Sequence, residues 1–193
     1  MALSSFTDIN PAEGRQLLDI ARRSIEAGLD GTVMPSLGAE GMQGALATQR
    51  GSFVTLTRNG ELRGCMGVIE SPRPLAQNTA DCALSAAFRD PRFAPLTPAE
   101  AKQIRIEVSV LSEMEPFAVR DREDLLQQLQ PGVDGLLMED DRYRSIFLPQ
   151  VWEKLGSAQH FLEQLLSKAG LPGDYWSDTI RFSRFYITPF FEE

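Results

Sequence analysis

The residues best suited to chemistry lie in a short segment, residues 62–67, which reads Leu-Arg-Gly-Cys-Met-Gly. On the two-residue period of a strand, Arg63, Cys65 and Gly67 share one face. Alternate side chains on a strand are about 6.5–7 Å apart, and a guanidinium at that distance favours the thiolate, the nucleophilic form of cysteine. Glycines inside a strand also mark a bulge or a close approach by a ligand or another chain. The alternative is that Cys65 is a small buried hydrophobic residue.

A second group of polar residues lies on a segment that alternates cleanly. Residues 104–111 predict a strand with isoleucine and valine on one side, and with Glu107 and Ser109 on the other. If the polar side packs toward Arg63 and Cys65, Glu107 would be partly buried and could act as a base or an anchor. If that side is solvated, neither residue needs a function. The sequence alone leaves both interpretations open.

A third candidate lies in the loop after a predicted helix, where residues 90–93 read Asp-Pro-Arg-Phe. Loops on a rigid scaffold often carry function, so Arg92 is a candidate. The alternative is a structural turn, in which Pro91 ends the helix, Phe93 fills the core and Asp90 pairs with an arginine. The candidates for catalysis are Cys65, Arg63 and Glu107. The candidates for a ligand or partner cleft are Arg63, Gly64, Cys65, Gly67, Arg92, Glu107 and Ser109.

Residues that could hold a metal or a cofactor are scarce. His160 is the only histidine, and it lies on the first turn of a predicted helix, where capping or surface roles are common. The two cysteines, Cys65 and Cys82, are 17 residues apart and form no Cys-x-x-Cys motif. The glycines of residues 38–44 lack the Gly-Lys-Ser/Thr ending of a phosphate-binding loop. The sequence therefore predicts no metal site and no bound cofactor.

The elements that must position these residues follow one order twice. Between residues 51 and 113, a hairpin with Asn59-Gly60 at its turn precedes a helix and a strand. The same order follows between residues 134 and 188, with a hairpin of 135–139 and 143–148, a helix of 157–169 and a strand of 180–188. The sequence predicts an α+β fold of two lobes, because strands and helices do not simply alternate as in a doubly wound sheet.

Helix boundaries are marked by local signals. Residues 10–13 and 97–100 each combine a capping residue, a proline and a glutamate three residues after the cap. Gly28 predicts the end of the first helix. The stretch from Asp30 to Gly51 has no clear period and predicts a long connection.

Composition narrows the functional class. The 193 residues include 19 Lys and Arg against 27 Asp and Glu, a formal charge of −8, which disfavours general nucleic-acid binding. The apolar stretches are shorter than the roughly 18 residues of a membrane span, and residues 1–8 carry no signal-peptide pattern. A chain with two cysteines is not a disulfide-rich secreted domain. We expect a cytoplasmic protein that binds no membrane.

Residues 62–67 resemble the Leu-Arg-Gly-Cys-Ile-Gly signature of the AMMECR domain family, protein A of the AmmeMemoRadiSam system, with Met66 in the isoleucine position. Further similar blocks follow in the expected order, at residues 86–93, 95–96, 106–112, 148–151 and 168–171. The resemblance implies a single AMMECR-like domain over residues 1–193, with two lobes and an internal duplication. It also implies a Memo-like protein and a radical-SAM protein as partners, and it does not fix an activity.

Two functional hypotheses follow. In the first, the strand around residues 62–67 lines a cleft that binds a small-molecule ligand or a partner protein, and the chain acts with a Memo-like and a radical-SAM protein. In the second, the chain is an enzyme or enzyme subunit that uses Cys65 with Arg63 and Glu107. The sequence shows no familiar acid–base pair, metal set or cofactor loop. That favours the first hypothesis.

Overall fold

The computed structural model describes residues 9–32 and 43–193, and its first helix begins where the sequence carries a capping signal. The side chain of Asn10 accepts hydrogen bonds from the backbone N–H groups of Ala12 and Glu13, and the Glu13 carboxylate accepts the N–H of Asn10. Helix α1 spans Pro11–Leu29, so Gly28, which was predicted to follow the end of the helix, lies inside its last turn. Part of the predicted connection after it lies outside the described residues.

The second described range carries the remaining helices and all of the strands found in the two ranges. The helices are α2 Leu75–Phe88, α3 Pro98–Ala101, α4 Arg122–Gln128, α5 Trp152–Leu155 and α6 Ala158–Lys168, with short 3-10 helices at Gly44–Ala47 and Pro149–Val151. The strands are β1 Ser52–Arg58, β2 Glu61–Val68, β3 Ile104–Leu111, β4 Glu115–Pro116, β5 Gly135–Asp140, β6 Tyr143–Phe147, β7 Arg181–Phe185 and β8 Ile187–Phe191.

Strand β1 lies inside the first sheet, whose strand order is β2-β1-β3-β8. It pairs antiparallel with β2 and β3, and the hairpin turn has positive φ at Asn59 (55°) and Gly60 (83°), as predicted. Alternate residues such as Val54, Leu56 and Val108 are buried in one hydrophobic core with α1 and α2. The sheet therefore turns its other face, with most of the polar residues of β1 and β3, away from these helices.

The single strand predicted for residues 180–188 is wrong. Strand β7 belongs to the second sheet, where Phe185 pairs with Gly135, whereas β8 belongs to the first sheet beside β3. The N–H of Glu192 donates to the backbone oxygen of Ile106, which anchors β8 on the first sheet. The β-prone pattern continues across Tyr186, so the local sequence carries no signal for the change of sheet.

The second sheet repeats the strand order of the first. Its order is β4-β7-β5-β6, so the first strand of a hairpin, β5, again lies between its hairpin partner β6 and the later strand β7. The buried side of α6 includes Phe161 and Leu165, and the Phe161 ring stacks on Trp152 with the ring centroids 3.8 Å apart. The predicted α+β fold, built from hairpin, helix and strand, is confirmed.

The chain divides into two compact units. One contains the described residues up to Ser112 together with Thr188–Glu193, and the other is Glu113–Ile187. Among the described residues, no helix is long and apolar enough to cross a membrane. That the two units are lobes of a single domain over residues 1–193 stays a prediction.

Candidate functional site

One row of residues crosses three neighbouring strands of the first sheet. Thr55 of β1 pairs with Cys65 of β2 on one side and with Glu107 of β3 on the other. Directly paired residues point to the same face, and their Cα atoms are about 4.5–5.5 Å apart. The Cα atoms of Cys65 and Glu107, one on each side of Thr55, are therefore about 10 Å apart. The Thr55 hydroxyl donates to the Cys65 sulfur at 3.4 Å. We call Cys65, Thr55 and Glu107 the Cys65 row.

The next row supports the first on the same face. Phe53 pairs with Gly67 and with Ser109, and the Ser109 hydroxyl donates to the Glu107 carboxylate at 2.8 Å. A Cβ on Gly67 would overlap the Phe53 ring, so glycine is required for that ring to lie where it does. Cys65 and Glu107 are half-buried and Ser109 is buried. The structure thus brings four of the predicted residues, Cys65, Gly67, Glu107 and Ser109, onto one face.

The opposite face of β2 packs on helix α2. A Cβ on Gly64 would overlap the backbone oxygen of Ala86 and would lie 3.1 Å from its carbonyl carbon. Met66, on the same side, packs against the hydrophobic core. The space at Gly64 is therefore filled by the helix backbone. Cys65, between these two residues, points away from the helix.

Arg63 does not follow the two-residue period from which its position was predicted. The pairing of β1 with β2 steps from Leu56–Gly64 to Thr57–Leu62, so Arg63 is the extra residue of a β-bulge. Its Nε and Nη2 donate to the two carboxylate oxygens of Glu100 at 3.0 and 3.2 Å. Arg63 is therefore held by Glu100, and its Nη1 is buried without a hydrogen-bond partner among the described residues.

Glu100 connects this arginine to the capping box of α3. Its carboxylate accepts hydrogen bonds from the N–H and hydroxyl of Thr97, and it also pairs with Arg58 at 3.2 Å. The hydrogen bonds from Arg63, followed by those from Thr97, lower the pKa of Glu100 from 4.5 to about 2. Ionised Glu100 thus ties the bulge of β2 to the segment before β3.

Asp90 and Arg92 form a hydrogen-bonded pair beside Cys65. The Asp90 carboxylate accepts the backbone N–H of Cys65 at 2.9 Å and three N–H groups of Arg92 at 2.7–3.1 Å. The hydrogen bonds from Arg92 are the main reason that the pKa of Asp90 lies well below its usual range. The guanidinium groups of Arg63 and Arg92 both contact the Phe93 ring, at 5.7 and 5.5 Å from its centroid.

Asp90 pairs with an arginine, as the structural interpretation of this loop predicted. The prediction that Phe93 fills the core is wrong, because its half-buried ring lies against two guanidinium groups. The sequence did not single out Asp90 as a partner of Cys65. Its position after a helix end was visible in the sequence, but its contact with Cys65, 25 positions earlier, was not. Thr55 was also not predicted as a site residue. The signal for it in the sequence was its place in an alternating segment.

No metal-binding group is evident in the part of the chain that the structure describes, where no cluster of three or more His, Cys, Asp or Glu side chains is placed to hold an ion. His160 is exposed on the first turn of α6, where its backbone N–H donates to the Ser157 hydroxyl that caps the helix. It lies in the other unit from Cys65.

Two titratable thiols per chain are expected after denaturation without reductant. Cys82 is buried in α2, its sulfur lies 3.7 Å from the backbone oxygen of Ser52, and burial raises its pKa to about 11. Cys65 lies on the other face of the sheet, and both thiols are free. Ellman's reagent should find both in denaturant and only Cys65 readily in the native protein. A count near zero in denaturant would contradict this arrangement.

Comparison with known proteins identifies a family. The AMMECR1 family model matches residues 18–190. A protein of Methanothermobacter thermautotrophicus is 39% identical over 190 residues, which cover 97% of this chain and 98% of that protein. Protein SSO0193 of Saccharolobus solfataricus is 37% identical over 192 residues, which cover 95% of this chain and 83% of that protein. The crystal structure of the uncharacterized protein PH0010 from Pyrococcus horikoshii is similar with a TM-score of 0.80 at 33% identity, over 96% of this chain and 94% of that chain. The chain therefore belongs to the AMMECR1 family.

Proposed function

We propose that the chain is a binding protein whose small-molecule ligand or partner segment occupies the Cys65 row, and that it acts with a Memo-like protein and a radical-SAM protein. The observation that carries the proposal is the row itself. Three adjacent strands present a free thiol, a hydroxyl and a carboxylate side by side on the face turned away from the helices. A small number of polar groups placed on a rigid scaffold is the usual basis of ligand orientation.

The surroundings of the row support a preorganised site. Gly64 lets α2 pack directly against β2, Arg63 ties the bulge to Glu100, and Asp90 holds the Cys65 backbone. A segment fixed in this way loses little further conformational entropy when a ligand binds, so more of the interaction energy is available for affinity. The row therefore suits recognition by fixed groups.

The chemistry of the row indicates the kind of ligand. Glu107 offers a carboxylate that already accepts one hydrogen bond from Ser109, and it can accept more from an amine or a hydroxyl. Cys65 offers a weakly polar sulfur. A molecule that touches both must span about 10 Å across the strands. We infer a ligand with a hydrogen-bond donor at the Glu107 end and an apolar group at the Cys65 end.

The second candidate function is catalysis by Cys65 with Arg63 and Glu107. The half-buried thiol with a hydroxyl donor at 3.4 Å favours it. Against it, the Arg63 guanidinium is engaged by Glu100, and the Cα atoms of Glu107 and Cys65 are about 10 Å apart on strands that flank β1. A thiol nucleophile needs a base within hydrogen-bond reach. The arrangement therefore supports binding better than it supports catalysis.

Removing the carboxylate should distinguish the two functions. We expect Glu107→Gln to carry about tenfold less ligand or partner through purification from the native cell, because a charged hydrogen bond contributes about 1.5–3 kcal/mol. Cys65→Ser should remain folded and keep most of the ligand, since serine nearly preserves the volume. Native mass spectrometry of the purified protein measures the bound fraction, with Glu139→Gln, an exposed carboxylate of the other unit, as the control.

The possible results of this experiment distinguish binding from catalysis. If nothing copurifies with the wild-type chain, or if Glu107→Gln and Glu139→Gln retain equal amounts, the binding proposal is wrong. If Cys65→Ser is folded but accumulates an unconverted molecule that the wild type releases as a different product, catalysis by the thiol takes its place.

A further inference from the structure

Strand β2 lies at one edge of the first sheet, and no strand of residues 9–32 or 43–193 pairs with its outer side. Edge strands normally leave a row of unpaired N–H and C=O groups. At Cys65 both outward groups are nevertheless bonded, because the N–H donates to Asp90 at 2.9 Å and the C=O accepts from Arg92 Nη2 at 3.4 Å. We propose that the Asp90–Arg92 pair takes the place of a neighbouring strand at Cys65, and that it is the positioning element of the Cys65 row.

The two side chains supply the hydrogen-bond acceptor and donor that this role requires. A neighbouring strand would offer one carbonyl acceptor and one N–H donor to each outward-facing residue. Asp90 offers the acceptor and Arg92 offers the donor. The two side chains are fixed to each other by the Nε and Nη2 bonds of Arg92 at 2.9 and 2.7 Å. Asp90 is 4% exposed, so water competes little for its carboxylate.

Cys65 depends on this pair more than a regular edge residue would. In an antiparallel ladder, a residue whose N–H and C=O point outward makes no backbone hydrogen bond to its partner strand. Its backbone is therefore bonded to Asp90 and Arg92 and not to Thr55. The β-bulge at Arg63, two residues earlier, further interrupts the ladder that would steady the strand.

The inference rests on the proposed function only in treating the Cys65 row as the site that must be held in place. The effect of the Asp90–Arg92 pair on Cys65 can be measured without any ligand. Loss of Asp90 should leave the thiol on a looser edge and remove a negative charge close to it. Both effects speed the reaction of the thiol with an alkylating probe.

The test uses the full chain with Asp90→Ala, and its matched control is Asp124→Ala. Asp124 accepts the backbone N–H, Nε and Nη2 of Arg120, the same three groups that Asp90 receives from Arg92, but it lies in the other unit. In Asp90→Ala we expect hydrogen exchange at the Cys65 amide to rise by at least about tenfold, since a charged hydrogen bond is lost. Alkylation of Cys65 by iodoacetamide should also accelerate severalfold. Asp124→Ala should change neither rate.

A purely structural role would give a different result. If Asp90→Ala lowers the melting temperature as Asp124→Ala does but leaves both Cys65 rates unchanged, the proposal is overturned. Should Asp90→Ala fail to fold, Arg92→Ala, at a side chain 54% exposed, removes the donor to the Cys65 carbonyl and the partner of Asp90. Faster hydrogen exchange at the Cys65 amide in that variant supports the proposal, and an unchanged exchange rate overturns it. Because neither readout involves a ligand, failure here is distinguishable from failure of the ligand-retention experiment.

Discussion

Gly64→Ala is expected to lower the free energy of unfolding by about 3 kcal/mol, at the upper end of the cost of overpacking. The added Cβ would overlap the backbone oxygen of Ala86 and approach its carbonyl carbon to 3.1 Å. Both atoms belong to the backbone of helix α2, so no side-chain rotation can relieve the overlap. The helix must move away from β2, which opens the contacts of Met66 with the core. Urea denaturation at neutral pH measures the loss.

Gly173→Ala is the matched control for this prediction. A Cβ at Gly173 would lie 3.4 Å from the Cβ and Cγ atoms of Glu163, which is close to ordinary van der Waals contact with a side chain. We expect its free energy of unfolding to stay within about 0.5 kcal/mol of the wild type. If Gly64→Ala costs less than about 1 kcal/mol, β2 and α2 do not pack as closely as the structure has them.

The local elements were predictable from the sequence because their signals are local. The capping residues Asn10 and Thr97 bond to the backbone two or three positions later, within the same short segment. Strand β3 was predicted with its observed bounds, since alternation over eight residues defines it. The turn at Asn59-Gly60 follows from backbone conformations that these two residue types tolerate.

The candidate site was only partly predictable because it depends on pairing between distant residues. Alternation placed Arg63 beside Cys65, but a bulge breaks the alternation at that residue. The glycines of the segment indicate that a bulge is possible, but they do not show at which residue it lies. The contact of Asp90 with Cys65 joins residues 25 positions apart. The assignment of β7 and β8 to different sheets likewise depends on competition between possible strand pairings, which the local sequence does not reveal.

The structure gives most residues of the 62–67 segment a packing or bonding role. Arg63 binds Glu100, Gly64 admits the helix, Met66 fills the core and Gly67 lies against Phe53. The Cys65 side chain instead faces away from the helices in a row of polar residues. In the proposed binding role, this half-buried thiol is the group of the segment that contacts the ligand.

Arg63→Met is expected to destabilise the first unit by about 2–3 kcal/mol at neutral pH. The side chains of Arg63 and Glu100 are 11% and 18% exposed, so removing the arginine leaves a largely buried carboxylate with one fewer partner. Breaking fully buried pairs in this way costs about 3–5 kcal/mol, and the remaining exposure reduces that figure. Arg73→Met is the control, because its partner Asp81 and Arg73 itself are 42% and 61% exposed, and a surface pair should contribute less than about 1 kcal/mol.

The pH dependence of the same variant tests the cause of the effect. The pKa of Glu100 is lowered in the folded chain from 4.5 to about 2, with the Arg63 hydrogen bonds as the main cause. The ionised carboxylate therefore stabilises the fold fully above about pH 4.5, and this contribution is lost as the pH falls toward 2. Urea titrations between pH 7 and pH 2 should show the difference between wild type and Arg63→Met shrinking over that interval. A difference that stays constant down to pH 2 would mean that Arg63 acts through packing on Phe93, and not through its charge.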